Sequence, residues 1–293
     1  MPQYRIVTVD AFTKVAFKGN QAAIVAVPSD SPIDDDTVQA IAAEMNISET
    51  AFITPLMLQG PDEFQQSRVF GLRWFTPTCE VKLCGHATLA AAHALKYELG
   101  NEREEVYFET ASGTLLVYSG PYNSYNMSLP VDPPAPMPVT DDVKTIVANI
   151  LGEYKPSVQV AISPSLRYMV VYDPAKAAED IAQLEPMLSP ELVAAGKREN
   201  VIGVIVTAKS SSHDFCSRFF APWCGINEDP VTGSAYTVLG PFWQERLGKK
   251  SLKAYQCSKR GGEIHVQTEF NDDMDVAIDG YAVTVVSGTI NFN

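Results

Sequence analysis

Two short stretches of the chain put polar residues where helices should begin. Cys84, Gly85, His86, Ala87 and Thr88 precede an Ala/Leu-rich run, and Asp229, Pro230, Val231, Thr232, Gly233, Ser234 and Ala235 precede a second apolar run. A helix start presents free N–H groups and about half a positive charge, which suits a carboxylate or an enolate-like oxyanion. Glycine at 85 and 233 lets a ligand approach the backbone closely. Taken alone, a GHA or TGSA tripeptide carries little information, and His86 also reads as a satisfied core histidine. The third candidate is Glu49 in NISETAFI. It reads as a solvated turn carboxylate or, beside apolar Ile47, Ala51 and Phe52, as an acid whose pKa is raised. A glutamate tuned upward both takes and returns a proton near neutral pH.

Other chemistry has less behind it. His86 and His93 are seven apart on one expected helix, but no third ligand is spaced with them, so no metal is expected. Nothing in the chain demands a cofactor. Arg260 in KRGG could meet a carboxylate, although a surface loop is the plainer reading. With 22 Lys+Arg against 35 Asp+Glu, the net charge of −13 repels phosphate backbones and argues against a nucleic-acid partner. Five cysteines without a CxxC pair, and an amino terminus that is already strand-like, lead to the expectation of free thiols and a cytoplasmic protein. No apolar run approaches the roughly 20 residues a bilayer requires, so no membrane association is expected.

These residues need elements to hold them, and 293 residues at 46% hydrophobic supply material for two cores. LPVDPPAPMP carries five prolines between Pro130 and Pro138 and marks a linker. Upstream, YRIVTVDAF and QAAIVAV read as strands, and Ser31-Pro32 opens a helix with Val38, Ile41, Ala42 and Met45 on one stripe. Downstream, Thr140 caps a helix over TDDVKTIVANIL. GHATLAAAHAL is apolar all round, which predicts a helix buried on every side. GSAYTVLGPFW is its counterpart, with Gly240 and Pro241 predicting a kink or an early end. Short alternating strands follow each: EVYFET, TLLVYSG and YNMSLP, then EIHVQTEF, DMDVAIDG, YAVTVV and TINFN.

A repeat ties the two helices together. RWFTPTC at 73–79 returns as RFFAPWC at 218–224. Arg73 to Gly85 is 12 residues and Arg218 to Gly233 is 15, and Gly113 and Gly262 follow those glycines by 28 and 29 residues. Two landmarks in register suggest a duplicated domain, against the alternative of chance matches. Each copy would wrap a sheet round one buried helix, and a pseudo-twofold axis would bring both helix starts to a shared cleft for a small anionic ligand.

The runs VDAFT…FKGNQAAIV, ISETAFI, RWFTPTCEVKLCGHATLA and EDPVTGSA, in this order over essentially the whole chain, resemble the phenazine-biosynthesis (PhzF-like) family of the diaminopimelate epimerase fold superfamily. The resemblance implies an α+β fold of two pseudo-symmetric domains, each an antiparallel sheet or open barrel around a central buried helix. They would be residues 1–128, with Glu49 and the CGHAT helix, and residues 129–293, with the DPVTGSA helix, the last strand being free to pack back on the first half. It further implies a homodimer and a metal- and cofactor-free isomerase that moves a proton on a small amino or hydroxy carboxylate resembling dihydro-hydroxyanthranilate. Glu49 would be the general acid/base. His86 and Asp229 would hold the substrate's amine and hydroxyl groups, and Ser234, with the backbone amides near Gly85 and Gly233, its carboxylate. Glu80 is expected to hydrogen-bond structurally, and Cys79 and Cys224 to pack at equivalent places.

Two departures stand out. Gly19-Asn20-Gln21 replaces the usual GNP, and Cys84 precedes Gly85 where related racemases carry a catalytic thiol. Those enzymes need a second cysteine at the other helix start. DPVTGSA has none, so Cys84 reads as a small buried residue. An epimerase running on Cys84, and a binding or scaffold protein that only keeps the fold, remain the competing readings.

Overall fold

The computed structural model describes residues 3–268 and 275–292. The chain divides into two compact units, one of residues 1–128 with 278–293 and one of residues 129–277.

In the first unit, β1 (Gln3–Ala11) runs antiparallel to β2 (Asn20–Ala26). Helix α1 (Asp35–Met45) carries the chain over to β3 (Glu49–Pro55), which lies parallel to β2 as a helical crossover requires. A short α2 (Glu63–Gln66) leads to β4 (Val69–Phe75), antiparallel to β3, and the two-residue β5 (Glu80–Val81) folds back on β4. Then come α3 (Gly85–His93), β6 (Glu105–Thr110), parallel to β4, and the antiparallel meander of β7 (Gly113–Ser119) and β8 (Ser124–Pro130).

The second unit repeats this pattern. After β9 (Ala135–Pro136) and α4 (Asp141–Leu151), β10 (Gln159–Ile162) and β11 (Tyr168–Tyr172) pair antiparallel. A crossover through α5 (Ala178–Ala182) and α6 (Pro190–Arg198) makes β12 (Gly203–Lys209) parallel to β11. Next, β13 (Phe215–Ala221) is antiparallel to β12 and pairs with the short β14 (Ile226–Asp229). After α7 (Ala235–Leu247), β15 (Ser251–Gln256) lies parallel to β13 and antiparallel to β16 (Gly262–Gln267). The two sequence landmarks fall on matched elements, since Gly113 opens β7 and Gly262 opens β16.

The last strand, β17 (Asp275–Asn291), returns to the first unit, where it pairs with β1 and β8. That closes the ring β1-β2-β3-β4-β6-β7-β8-β17, an eight-stranded barrel. The segments DMDVAIDG, YAVTVV and TINFN are therefore one strand rather than three; residues 269–274, at the edges of two expected strands, lie outside the described residues. Gly280 does not break β17, because its role is close packing: a Cβ there would sit 2.5 Å from the Phe12 ring and 2.9 Å from Leu89 of α3. The meanders are antiparallel as expected, while each unit also contains two parallel pairs produced by its crossovers.

Helix α3 packs against β1, β2, β3 and β7, and all nine of its residues are buried, so its lack of a polar face matches its place. Outside the sheet, α1 lays Val38, Ile41 and Ala42 over Val25 and Phe52. It starts three residues later than its proline suggests, because the Asp34 carboxylate accepts the Thr37 N–H at 3.0 Å and fixes the cap. Thr140 caps α4 in the same way through the Val143 N–H. Helix α7 corrects the expectation of an early end, since it runs through Pro241 to Leu247. Proline leaves the Thr237 carbonyl without its helical donor. The Asp132 N–H supplies one at 3.1 Å, and the Asp132 carboxylate in turn accepts the N–H groups of Ser165 and Leu166. The proline-rich segment is thereby fastened over the gap.

The repeated arginine phrase has a structural reason. Arg73 on β4 holds Glu80 on β5 through two parallel bonds of 2.8 and 2.9 Å, and Arg218 on β13 holds Glu228 on β14 at 2.6 and 2.8 Å. These partners stand seven and ten residues apart, so the three-residue insertion lies inside the clamp, where the turn Pro222–Cys224 is found. Glu80 is thus structural. Cys79 and Cys224 occupy matching connections but are exposed, not packed, because those turns project from the sheet.

Candidate active site

Strand pairing decides which side chains reach the barrel interior. Ala22 pairs with Glu49 and Ala11 with Asn20, so Asn20, Ala22 and Glu49 share the face that meets α3. Val25 and Phe52 take the other face, under α1. Gly19 makes this register possible: its φ is +65°, and a Cβ would lie 2.0 Å from the Ala11 carbonyl oxygen.

At the start of α3, His86 joins three neighbours. Its Nε2 lies 3.2 Å from Oε2 of Glu49. Its Nδ1 lies 3.2 Å from Nδ2 of Asn20 and 3.4 Å from Sγ of Cys84. Ser48 donates its hydroxyl proton to the Gln21 carbonyl at 3.0 Å, tying the residue before Glu49 to the residue after Asn20. Glu49 is 8% exposed and His86 4%. Oε2 of Glu49 and Nε2 of His86 face each other at ion-pair distance and have no other hydrogen-bond partner among the described residues. Two buried polar atoms whose one partner is each other leave hydrogen-bonding capacity that a ligand can take up.

The charge states follow from this geometry. Burial is the strongest single influence on the Glu49 carboxyl and pushes it upward, but the charge of His86 together with hydrogen bonding from His86 and Ser48 outweighs it and leaves the pKa below its ordinary value. That reverses the upward tuning expected from Ile47, Ala51 and Phe52, since a cation and hydrogen-bond donors acting together offset the effect of burial. For His86, burial is the strongest single influence and disfavours the cation, while the Glu49 carboxylate at Nε2 and hydrogen bonding to the Cys84 sulfur at Nδ1 push its pKa upward. Burial and the Glu49 charge raise Cys84, which is therefore a thiol. The resting site is a carboxylate beside an imidazolium.

Glu49, Cys84 and His86 also bring a potential ligand atom each within 4.8 Å of one another. Sulfur and carboxylate approach opposite nitrogens of one ring, and a ring gives a metal only one of them.

In the second unit, Asp229 ends β14 and is buried, with the Thr232 hydroxyl donating to it at 2.5 Å. Buried Gln256 braces the loop, accepting the Thr232 N–H at 2.8 Å and donating to the Asp229 carbonyl at 2.7 Å. Ser234, just before α7, lies 3.2 Å from the Tyr168 hydroxyl. Helices α1, α4 and α6 have side-chain caps, whereas α3 and α7, like the short α2 and α5, have none. The first-turn donors of the two buried helices, with Gly85 in α3 and Gly233 two residues ahead of α7, are left without that partner.

His93, in contrast, is satisfied, with Tyr125 Oη 3.0 Å from Nδ1 and Thr284 Oγ1 3.1 Å from Nε2. Arg260 sits in the turn before β16. A groove of about 410 Å³ lined by Ile33, Val38, Phe52 and Leu56 lies on the outer face of β3, away from Glu49.

The comparisons with known proteins agree with this architecture. The family model described as phenazine biosynthesis-like protein (PhzC-PhzF) matches residues 9–288. The chain belongs to the phenazine biosynthesis-like family. It is 41% identical over 295 residues to the mouse phenazine biosynthesis-like domain-containing protein 2, covering 96% of each chain. It is 39% identical over 291 residues to a Halalkalibacterium halodurans protein named as an uncharacterized isomerase, again covering 96% of each. A crystal structure of a PhzF-family protein from Enterococcus faecalis superposes with a TM-score of 0.84 at 34% identity, over 99% of this chain and 100% of that one. Membership and these relatives support an isomerase role. Among the described residues no helix is long and apolar enough to cross a membrane.

Asn20 was missed as a site residue in the sequence, where it counted only as part of a turn. Its signal was an amide at the head of the strand NQAAIVA, on the same face as Ala22 and, across the pair, Glu49.

Proposed function

We propose that this PhzF-like protein is a metal- and cofactor-independent isomerase that shifts a proton on a small amino or hydroxy carboxylate, with Glu49 as general acid/base. The observation that carries the reading is the buried pair of facing atoms, Oε2 of Glu49 and Nε2 of His86, 3.2 Å apart and with no other partner among the described residues. A bound substrate would enter this pair. The Glu49 carboxylate takes a proton from carbon, and the electron pair left behind spreads into the adjacent π-system. The cationic His86 stabilises the charge as it develops. Glu49 then returns its proton at another carbon, which completes an isomerisation with no net redox change. For such a carbon acid the lowered pKa of Glu49 guarantees the base form at rest, and displacing His86 onto substrate makes the carboxylate more basic when required.

Asp229 and Ser234 are assigned to holding the substrate's amine or hydroxyl and its carboxylate, with amides near Gly85 and Gly233. Support for them is the DPVTGSA motif together with the buried, braced Asp229 and the absence of a side-chain cap on α7. Dihydro-hydroxyanthranilate-like acids are the substrate class, and a cytoplasmic homodimer is the expected form. An epimerase dependent on Cys84 is disfavoured by its buried thiol and by the absence of a cysteine in DPVTGSA.

The reading is tested by incubating protein and a hydroxyanthranilate-type analogue in D2O. Deuterium should enter the ligand with the native protein and not with Glu49→Gln. Inactivation by a thiol reagent at Cys84, with Glu49→Gln still active, would favour the epimerase; no binding at all would favour a scaffold.

A further inference from the structure

One ring nitrogen of His86 is already spoken for by protein atoms of two opposite kinds. Around Nδ1 stand an amide N–H donor, Nδ2 of Asn20 at 3.2 Å, and a sulfur, Sγ of Cys84 at 3.4 Å. All three residues are buried. A neutral imidazole has a lone pair on one nitrogen and a proton on the other, and the cation has protons on both. The amide N–H therefore suits only an unprotonated Nδ1, whereas the sulfur, a weak acceptor as well as a weak S–H donor, is the neighbour able to accept from a protonated one.

We propose that Asn20 and Cys84 are a pair of positioning residues on Nδ1 of His86, the amide donating to the neutral ring and the sulfur accepting from the cation. With Nδ1 served in either state, the ring gains or loses its second proton without turning, and in the neutral ring the remaining proton is held on Nε2, the atom facing Glu49. This gives Cys84 a task that needs neither a thiolate nor a second cysteine. It also gives a reason for a polar residue at the head of β2. The inference rests on reading His86 as the partner of Glu49, although its test reads the ring and not turnover.

Other charges do not account for the arrangement. Helix α3 is packed by β1, β2, β3 and β7. On β3 the facing acid is Glu49, and on β2 the facing polar group is Asn20. The buried acid of β1, Asp10, pairs with Gln21 on the opposite face and accepts the Phe17 N–H at 2.6 Å. From β7, Leu115 and Val117 are the buried side chains. On α3 itself, His93 lies about two turns away and is tied to Tyr125.

The experiment is an NMR titration of the intact protein carrying ¹⁵N-labelled histidine, with His86→Gln used to assign the His86 signals. In the native protein above its titration, the ring should be the Nε2–H tautomer. Asn20→Ala removes support from the neutral ring, so the His86 titration should move upward and Nδ1–H should begin to populate. Cys84→Ala removes support from the cation, so the titration should move downward, and Cys84→Ser, whose hydroxyl also accepts, should restore most of the shift. Asn20→Asp, which only accepts, should move it upward, and it serves if Asn20→Ala fails to fold. Shifts of the same sign for the Asn20 and Cys84 variants, or a native neutral ring protonated on Nδ1, would overturn the inference. A protein that shows the split titration but no Glu49-dependent exchange keeps this inference and loses the proposed reaction.

Discussion

At the scale of single residues, the two histidines of α3 show how burial and neighbours produce opposite outcomes. His86 is flanked by Glu49 and Cys84 and is held well above 6.5. His93 meets only hydroxyls, and burial, partly offset by Glu98, lowers it to about 4. The linkage has a definite sign. The unfolded chain binds a proton at His93 below 6.5 while the folded chain does not, so stability is fully present above 6.5 and is lost as pH falls towards 4. The difference between 6.5 and about 4 corresponds to about 3 kcal/mol. Urea unfolding between pH 7 and 4 should therefore show a steeper loss for the native protein than for His93→Gln, which cannot take up charge. Equal slopes would mean that His93 titrates near its ordinary value. His86 and Glu49 were both visible in the sequence as candidates. Their charge states were not, because a contact between β3 and α3 appears only when the barrel closes over the helix.

At the scale of elements, the arginine clamps are the clearest consequence of the duplication, and they differ in depth. Arg73 and Glu80 have side chains 43% and 39% exposed, against 10% and 25% for Arg218 and Glu228. Arg218 also donates to the carbonyls of Ile181 and Leu184, tying α5 to β13. Exposed pairs contribute about 0–1 kcal/mol, whereas removing one partner of a buried pair costs about 3–5 kcal/mol. Arg218→Met should lower the urea midpoint several-fold more than Arg73→Met. The cap of α4 gives a smaller test: Thr140→Ala should cost about 1 kcal/mol, read as a shift in midpoint with unchanged slope. The phrases RWFTPTC and RFFAPWC disclosed the clamp's arginines, but Glu228 could not be matched to Glu80 while the insertion between them was unplaced. Pro241 misled for a related reason. Local sequence shows the missing N–H, and only the fold shows Asp132 replacing it.

At the scale of the whole molecule, each unit repeats one order of pairings, in which an antiparallel pair, a parallel crossover, a two-strand return and a second parallel crossover follow one another. This order was legible in outline, because a helix apolar on all sides demands enclosure and two glycine landmarks kept their spacing. The continuous β17 was not legible, since Gly280 and Gly288 look like breaks when the close approach of Phe12 and Leu89 to Gly280 is unseen. The homodimer proposed for this family member is checked by sedimentation equilibrium, which should return about twice the chain mass.

The proposal as a whole depends on Glu49 moving a proton to and from carbon. The most direct measurement is mass-spectrometric detection of deuterium transfer into a hydroxyanthranilate-type acid in D2O, comparing native protein with Glu49→Gln at matched folding. The account predicts incorporation by the native protein and a rate reduced by about 10²–10⁴ in the variant. Equal incorporation by both proteins would contradict it.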